Sequence, residues 1–232
     1  MQTLEGNTVL ISGANGGLGR AVTQAFLDAG AKVGGVAQAI QDSDFLSANF
    51  MAISGEVSTA EAAASVTQKV KARWGRVDGL IHLIGGFAGG TRVDETNDET
   101  FDKMLAVNLR AAFHFIKAVV PGMRAQGSGR IVAIGSRTAV VPTAMLGVYS
   151  ASKAALVSLV QTVALENRDR GITANVILPG TMDTPANRKA MPDADPARWV
   201  APSQVAALLV HLASDAALSI NGAVIPILGG EL

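Results

Sequence analysis

Short apolar runs alternate with longer stretches in which apolar residues recur at helical spacing. Seven of the short runs are apolar on both faces, which is typical of strands that helices cover on both sides. Seven strands separated by six helical stretches predict one α/β domain over residues 1–232, with a doubly wound parallel sheet flanked by helices. The predicted strands are Thr8–Ser12, Lys32–Val36, Phe50–Ile53, Gly79–Ile84, Gly129–Gly135, Thr173–Leu178 and Ala223–Leu228.

Local signals predict where several helices begin and end. Leu18, Val22 and Phe26 recur at helical spacing, and Gly30 follows as a stop. The sequence STAE at 58–61 predicts a capping box for a helix that ends near residue 74, and TNDE at 96–99 predicts another. APSQ at 201–204 places a proline near the first turn of the last helix.

Two predicted helices, Asp102–Met123 and Ser150–Asn167, are apolar nearly all round. A helix of this kind must be buried on both sides, and the sheet covers only one of them. We expect a second subunit to cover the other side, which predicts a homodimer or homotetramer. The alternative is that a neighbouring helix of the same chain covers it.

Composition narrows the class of protein. Of 232 residues, 49% are hydrophobic and 16% are charged, which excludes a disordered chain. The formal net charge is +0 and the sequence has no basic stripe, so it gives no indication of a surface that binds nucleic acid. The chain contains no cysteine, which excludes disulfides and thiolate metal sites. Without a signal peptide or an apolar run of about 18 residues, we expect a cytoplasmic protein with no membrane contact.

The segment VLISGANGGLGR places glycines between the first predicted strand and the first predicted helix. Gly13, Gly17 and Gly19 would permit a tight turn and let a pyrophosphate approach the backbone without meeting a Cβ atom. The helix that follows would direct its free N–H groups and positive dipole end at that phosphate. The spacing differs from a G-x-x-x-x-G-K-S/T loop, so the turn predicts a dinucleotide site rather than an ATP or GTP site.

The segment YSASK places Tyr149 and Lys153 four residues apart, on one face of a helix. A neighbouring ammonium group would lower the pKa of the phenol, so that the pair could pass a proton near neutral pH. Ser136 ends a predicted strand at the sheet edge where such folds bind ligands. Asn108 lies inside a predicted helix, which suggests a polar task. Alternatively, the spacing of the pair is chance, Ser136 is a turn residue and Asn108 is a local cap.

These segments, together with VNLRAAF, GRIVAIGS, NVILPGTMDT and INGAVIPILGG, resemble the short-chain dehydrogenase/reductase family over nearly the full chain. The resemblance implies a Rossmann-type fold and hydride transfer on a nicotinamide cofactor. Tyr149 would be the general acid or base, and Lys153 would lower its pKa and hold the nicotinamide ribose. Ser136 would orient a substrate carbonyl or imine, and Asn108 would support a proton-relay water.

The same resemblance implies a set of cofactor contacts in which Thr184 meets the carboxamide and Glu56 lies beside the adenine. The full set is Gly13, Asn15, Gly16, Gly17, Leu18, Gly19, Ala37, Gln38, Glu56, Val57, Ile84, Gly85, Gly86, Tyr149, Lys153, Pro179, Gly180, Met182 and Thr184.

The chain departs from the family where HLIG at 82–85 replaces NNAG. His82 then occupies the place of an amide that steadies the sheet, and a hydrogen-bonded structural histidine is favoured over a catalytic one. His114 and His211 are predicted to be packing residues. The three histidines have no metal-ligand spacing, so no metal is expected.

The end of the second strand decides between the two nicotinamide dinucleotides. An acidic residue there binds the 2′-hydroxyl of NAD, whereas a basic residue accepts the 2′-phosphate of NADP. No Arg or Lys lies between Lys32 and Lys69, and Gly16 stands where NADP enzymes of the family often carry a cation. The sequence therefore favours NAD(H) over NADP(H), with Asp42 or Asp44 as a ribose contact.

The longest irregular stretch, LPGTMDTPANRKAMPDADPARW at 178–199, follows the last predicted cofactor contacts. Its part from Pro185 to Trp199 is predicted to be a substrate lid, with Phe87, Met191 and Trp199 near the substrate. DTPANRKAMPDADPARW at 183–199 and IGGFAGG at 84–90 resemble the quinoid dihydropteridine reductase branch of the family, where a serine like Ser136 is typically lacking. We expect a reductase of carbonyl or imine substrates. The alternatives are dihydropteridine reductase activity and a redox sensor that binds the dinucleotide without catalysis.

Overall fold

The computed structural model describes residues 3–230 and contains one seven-stranded sheet in which every neighbouring pair is parallel. The strand order is β3-β2-β1-β4-β5-β6-β7. This is the doubly wound order with one further strand at the β6 edge, so the predicted fold class is confirmed. The strands are β1 (Thr8–Ser12), β2 (Lys32–Ala37), β3 (Phe50–Ser54), β4 (Gly79–His82), β5 (Gly129–Ile134), β6 (Ile172–Pro179) and β7 (Val224–Ile227).

Every strand bound agrees with the prediction to within one residue except the end of β4, which comes two residues early. The predicted strand Gly79–Ile84 ends at His82. Leu83 still donates its N–H to the Ser12 carbonyl, and the glycine-rich chain then leaves the sheet. This early exit places Ile84, Gly85 and Gly86 above the carboxyl edge of the sheet.

Within the part of the chain that the structure describes, seven α-helices cover the sheet or cross its edges. Thr59 and Asn97 cap α2 and α3 with their side chains, each one residue later than predicted. Pro202 is in the first turn of α7, as predicted. The helices are α1 (Gly19–Asp28), α2 (Ala60–Trp74), α3 (Asp98–Leu105), α4 (Ala111–Gln126), α5 (Gly147–Glu166), α6 (Pro185–Ala190) and α7 (Pro202–Ala213).

A π-helical segment, Ala106–Arg110, joins α3 to α4. The predicted single helix Asp102–Met123 is therefore a longer stretch, Asp98–Gln126, with a widened turn inside it. The other apolar helix begins at Gly147 rather than at Ser150 and so includes Tyr149 in its first turn. Both stretches are long and apolar enough to span a membrane by length and composition alone. Each packs one face in the core, and that packing explains the composition.

The core lies on both faces of the sheet because neighbouring residues of a strand point to opposite sides. Leu10 of β1 belongs to the core with Phe115 and Leu156, and Ile11 belongs to the core with Phe26. Both layers leave the carboxyl edge of the strands open to the loops that follow them. That edge is where the sheet brings the predicted site residues together.

The stretch between β6 and α7 is more regular than predicted. Pro185–Ala190 forms α6, Pro196–Arg198 forms a short 3₁₀ turn, and Met182 pairs with Val200 as an isolated bridge. Thr184 caps α6 by accepting a hydrogen bond from the Asn187 N–H. The segment thus has its own hydrogen bonds and is attached at both ends.

Candidate functional site

The glycine turn after β1 has the geometry that the sequence predicted. Gly13 has a φ of +75° and donates its N–H to the Val36 carbonyl at 2.8 Å. A Cβ atom on Gly19 would overlap the Gly13 carbonyl oxygen. Within the described chain, no side chain caps the start of α1. The turn and the uncapped helix start therefore fit a pyrophosphate, which needs close approach to the backbone and free N–H groups.

Replacing Gly19 with Ala is expected to weaken binding of the nicotinamide dinucleotide by at least about tenfold, because the added methyl group must displace the backbone of the turn. The dissociation constant, measured by cofactor fluorescence, checks this. Gly122→Ala is the control, since a Cβ atom there meets only the end of the Lys71 side chain, and its affinity should not change. Equal dissociation constants for Gly19→Ala and the wild type would contradict the role of the turn.

Ser136 and Tyr149 meet at the carboxyl edge of the sheet. Ser136 follows β5, and its hydroxyl lies 3.1 Å from the Thr138 hydroxyl and beside the Tyr149 phenol, whose pKa it lowers. Tyr149 is half-buried in the first turn of α5. The two hydroxyls could both reach the oxygen of one carbonyl group, with the phenol positioned to donate a proton.

The effect of Lys153 on the pKa of Tyr149 differs from the prediction. Burial raises the pKa of the Tyr149 phenol, and the hydrogen bond from Ser136 opposes that rise. The Lys153 ammonium group instead donates to the Ile134 carbonyl oxygen at 2.9 Å. The predicted lowering of the phenol pKa by Lys153 is therefore wrong for this structure. The phenol is protonated at neutral pH, which is the state that a general acid requires.

Lys153 is the most deeply buried cation near the site, with 4% of its surface exposed. Burial lowers the pKa of its ammonium group from 10.5 to about 8. A Cβ atom built on Gly85 would lie 3.0 Å from the Lys153 nitrogen, so the exposed backbone at Gly85 passes close to this charge. Lys153 thus lies between Ile134 below and Gly85 above.

Asn108 lies in the π-helical segment and holds the chain that leaves β4. Its side-chain oxygen accepts the Gly86 N–H at 2.8 Å, and its amide donates to the Gly86 carbonyl at 3.1 Å. The same amide donates to the Ser152 hydroxyl at 2.9 Å. The widened turn therefore lets Asn108 fix Gly86 beside α5, a common use of π-helical turns at functional sites. Its predicted support of a relay water stays a prediction.

His82 is only partly hydrogen-bonded, in contrast to the prediction. Its Nδ1 lies 2.9 Å from the Ser12 hydroxyl, but its Nε2 has no hydrogen-bond partner among residues 3–230. Burial, with a smaller effect of the Lys153 charge, lowers the pKa of His82 to about 3. The imidazole is therefore neutral at physiological pH and packs against the Phe115 ring. His114, by contrast, lies 2.9 Å from the Ser58 carbonyl oxygen through Nδ1.

The acids predicted to contact the ribose are already held by protein groups. Asp42 accepts the Ala52 N–H at 2.8 Å. Asp44 accepts the Gln41 N–H at 3.0 Å and an Arg20 N–H at 3.1 Å, and these contacts lower the pKa of its carboxyl group. Sequence reasoning missed Arg20, because it searched for a cation only after β2 and at the Gly16 position of the glycine turn. Arg20 lies in the first turn of α1 and pairs with Asp44, which is 24 positions further along the chain.

The glycine turn is also tied to the chain after β2. The Asn15 amide donates to the Ala39 carbonyl oxygen at 2.6 Å, and Asn15 also contributes to lowering the pKa of the Asp44 carboxyl group. Ala37 and Gln38, which lead into this contact, are partly buried and exposed, respectively. The structure therefore brings the predicted ribose end of the dinucleotide site together, with the Arg20–Asp44 pair at its rim.

Other predicted cofactor contacts are divided between the two sides of the carboxyl edge. Glu56 is exposed and accepts the Ser58 hydroxyl at 3.0 Å, whereas Val57 is buried. Thr184 is buried, with its methyl group 3.1 Å from a Cβ atom built on Gly17. Gly17 and Leu18 directly precede α1 on that side, whereas Pro179 ends β6 and Gly180 and Met182 follow it.

The three predicted substrate residues differ in exposure. The Phe87 ring packs edge-on against the Tyr149 ring, with 5.1 Å between their centroids, and 69% of its surface is exposed. Met191 is also exposed, in the turn after α6. Trp199 is buried, with its backbone against Gly229, so it anchors the end of the segment instead of offering a ring to a ligand. Its prediction as a lid residue is wrong for this structure.

Comparisons with known proteins agree with this arrangement. A family model described as short chain dehydrogenase matches residues 7–195. The 3-oxoacyl-(acyl-carrier-protein) reductase FabG of Escherichia coli (strain K12) is 32% identical over 240 aligned positions, which cover 97% of each chain. D-threitol dehydrogenase of Mycolicibacterium smegmatis (strain ATCC 700084 / mc(2)155) is 32% identical over 243 positions, which cover 98% of this chain and 93% of the relative.

A solved structure of levodione reductase has a TM-score of 0.90 with this chain, at 27% sequence identity, and 98% of each chain is covered. A second solved structure, of gox2181, has a TM-score of 0.91 at 26% identity and covers 99% of this chain and 96% of the other. The likeness therefore extends over the whole sheet and over the loops at its carboxyl edge.

Proposed function

The chain belongs to the short-chain dehydrogenase family, and on that premise we propose that it transfers a hydride between a nicotinamide dinucleotide and a carbonyl or imine substrate. The observation that carries this proposal is the Ser136 hydroxyl beside the Tyr149 phenol, with Lys153 buried one turn along α5. The pair lies at the same sheet edge as the glycine turn. A proton donor and a dinucleotide site at one edge are what carbonyl reduction requires.

The residues at this edge would have separate roles in cofactor binding and in proton transfer. The nicotinamide ring, when bound, supplies or accepts the hydride. Gly13, Gly17 and Gly19 leave the backbone open to the pyrophosphate, and the start of α1 supplies N–H groups to it. Ser136 donates a hydrogen bond that orients the substrate oxygen or nitrogen, and Tyr149 donates the proton that balances the arriving hydride. Lys153 contributes a positive charge beneath the cofactor side of Tyr149.

We propose NAD(H) as the cofactor, because Arg20, the cation that residues 3–230 place at the ribose end, is already paired. Arg20 lies 3.1 Å from Asp44, and this carboxylate would repel a 2′-phosphate while it neutralises the guanidinium group. Asp44 is fixed by the Gln41 N–H, so it stays in place when a dinucleotide binds. The pair thus supports a site for an uncharged 2′-hydroxyl.

Replacing Asp44 with Asn is expected to shift the preference toward NADPH by about tenfold, because Arg20 loses its partner and can donate to the 2′-phosphate. Dissociation constants for NADH and NADPH, measured side by side, check this. Asp94→Asn, which removes the partner of Arg92 at an exposed ion pair, is the matched control and should not shift the preference. Tighter binding of NADPH than of NADH by the wild type would contradict the proposal.

One panel assay separates the proposed function from its two alternatives. Purified protein is given NADH or NADPH with aliphatic and aryl ketones, a cyclic imine or quinoid dihydropterin, and loss of reduced nucleotide is followed. Turnover of ketones or the imine supports the proposal. Turnover confined to the dihydropterin supports dihydropteridine reductase activity. That alternative rests on the sequence resemblance of residues 84–90 and 185–199. Tight binding of the dinucleotide without turnover supports the redox sensor.

We further propose that the protein is a cytoplasmic homodimer or homotetramer. Phe101, Phe113 and Leu165 are exposed on the stretches Asp98–Gln126 and Gly147–Glu166, whose other faces pack in the core. Apolar side chains of this size on helices that are already packed on one side favour a subunit contact. Light scattering at micromolar concentration would give the subunit count, and a monomer would contradict the proposal.

A further inference from the structure

Large exposed apolar side chains are concentrated around Tyr149. Among residues 3–230, eleven large apolar residues are exposed; five of them lie on the chain segments next to Phe87, Ser136 and Tyr149, and a sixth, Met191, lies in the turn after α6. Isolated exposed apolar residues are ordinary, but a group of them beside a reactive centre indicates a ligand surface. The six are Phe87, Val93, Val140, Val141, Met145 and Met191.

Five of these residues lie on two loops that contact each other. The Gly90 N–H donates to the Met145 carbonyl oxygen at 2.9 Å. A Cβ atom on Gly89 would meet Leu146, and one on Gly147 would meet Val93. Residues 87–93 and 140–147 therefore form one continuous rim, which we call the apolar rim.

The apolar rim is joined to the reacting groups on both sides. Phe87 packs edge-on against the Tyr149 ring. On the other side, the Ser136 carbonyl accepts the Ala139 N–H at 3.0 Å, and the Arg137 carbonyl accepts the Val140 and Val141 N–H groups at 3.1 and 3.0 Å. This turn fixes the two valines a few residues beyond Ser136, where they are 54% and 51% exposed.

The charge of Arg92 in the apolar rim is balanced by a neighbouring carboxylate. Arg92 pairs with Asp94 at 3.5 Å, and both are well exposed. The Thr138 hydroxyl is engaged by Ser136. A polyhydroxylated or strongly charged substituent would thus exchange its water for valine, phenylalanine and methionine side chains, which is unfavourable.

We infer that the substrate is a ketone, or the corresponding secondary alcohol, whose larger substituent is an uncharged alkyl or aryl group that lies on the apolar rim. This inference rests on the proposed function and assigns its substrate class. A protein partner seated on the rim would cover Phe87 and close access to Tyr149, which favours a small molecule as the occupant. Each methylene group that becomes buried is worth about 0.8 kcal/mol, which is about fourfold in kcat/KM.

The test uses a series of methyl ketones with one reacting group: acetone, 2-butanone, 2-pentanone, 2-hexanone and 2-octanone. Acetone to 2-hexanone should show a rise in kcat/KM of about fourfold per methylene group. The anion 4-oxopentanoate, which is close in size to 2-hexanone, should be a poorer substrate by at least about tenfold. A flat series, or a preference for the anion, would overturn the inference while leaving hydride transfer intact.

Variants locate the effect on the rim. Val140→Thr combined with Val141→Thr keeps side-chain shape and should lower kcat/KM for 2-octanone more than for acetone, by about fivefold in the ratio. Leu46→Gln, which changes the most exposed apolar residue in the loop before β3, is the control and should leave that ratio as in the wild type. An unchanged ratio in the threonine variant would count against the apolar rim.

Binding separates failure of the inference from failure of the proposed function. In the complex of Tyr149→Phe protein with reduced dinucleotide, dissociation constants for the same ketones are measured by calorimetry. They should fall with chain length by the same factor per methylene group. If no ketone is turned over, the proposed function fails, and this binding series still decides whether the apolar rim selects uncharged alkyl groups.

Discussion

Replacing Tyr149 with Phe is expected to lower kcat for ketone reduction by a factor of about 10² to 10⁴, the usual contribution of a positioned general acid. The chain has one tyrosine, so no other phenol can take over. The change removes one hydroxyl and keeps the ring that packs against Phe87. Ser136 keeps the Thr138 hydroxyl as a partner, which limits structural disturbance.

Steady-state kinetics together with the dissociation constant of the dinucleotide check this prediction. The constant should change little, because the phenol acts on the substrate atom that gains the proton. Thr67→Val is a matched control, since it removes a buried hydroxyl that donates to the Ala63 carbonyl on α2, remote from the site. Wild-type kcat in the Tyr149→Phe protein would refute the assignment of Tyr149 as general acid.

Replacing Lys153 with Met is expected to stabilise the protein at pH 7 while it impairs catalysis. The fall in the pKa of Lys153 from 10.5 to about 8 corresponds to about 3 kcal/mol of unfavourable burial of the charge. Met has a similar shape and carries no charge. Loss of the hydrogen bond to the Ile134 carbonyl offsets about 1 kcal/mol, which leaves a gain of about 2 kcal/mol in the free energy of unfolding.

The gain should depend on pH in a defined direction. Between pH 8 and 10.5 the unfolded wild type binds more protons at Lys153 than the folded protein does, so the wild type becomes more stable as pH rises. The gain of the variant is therefore largest below pH 8 and is lost as pH rises to 10.5, where the lost hydrogen bond leaves the variant about 1 kcal/mol less stable than the wild type.

Urea unfolding of both proteins across this range gives the difference directly. Lys71→Met changes a half-buried lysine on α2 and serves as the control, with no comparable gain. A Lys153→Met protein that is less stable than the wild type at pH 7 would contradict the cost assigned to this buried charge.

The sequence predicted the fold well because each strand is a short apolar run with a turn signal after it. The N-cap of α2 was predicted one residue early, at 58–61, because Ser58 and Thr59 both carry a hydroxyl suited to a cap. In the structure the Ser58 hydroxyl donates to the Glu56 carboxylate, and the Thr59 hydroxyl accepts the Ala62 N–H. Such a choice depends on the path of the chain after β3, which propensity does not encode.

Features that depend on contacts between distant segments were missed. The π-helical turn at Asn108 follows from its hydrogen bonds to Gly86 and Ser152, which are 22 and 44 residues away. The Arg20–Asp44 pair requires β1 and β2 to be neighbours in the sheet. Burial of Trp199 depends on the residues that follow β7. The sequence motifs predicted the candidate reactive groups, but they did not predict the contacts that hold those groups in place.

Transfer of deuterium from NADH or NADPH labelled at C4 of the nicotinamide tests the central claim most directly. The protein is incubated with labelled nucleotide and 2-octanone, and the 2-octanol formed is analysed by mass spectrometry. If Tyr149 donates the proton while the nicotinamide donates the hydride, the label is found on the carbinol carbon of the alcohol, and the Tyr149→Phe protein forms little of it. Oxidation of the nucleotide without labelled alcohol would contradict hydride transfer to a carbonyl carbon.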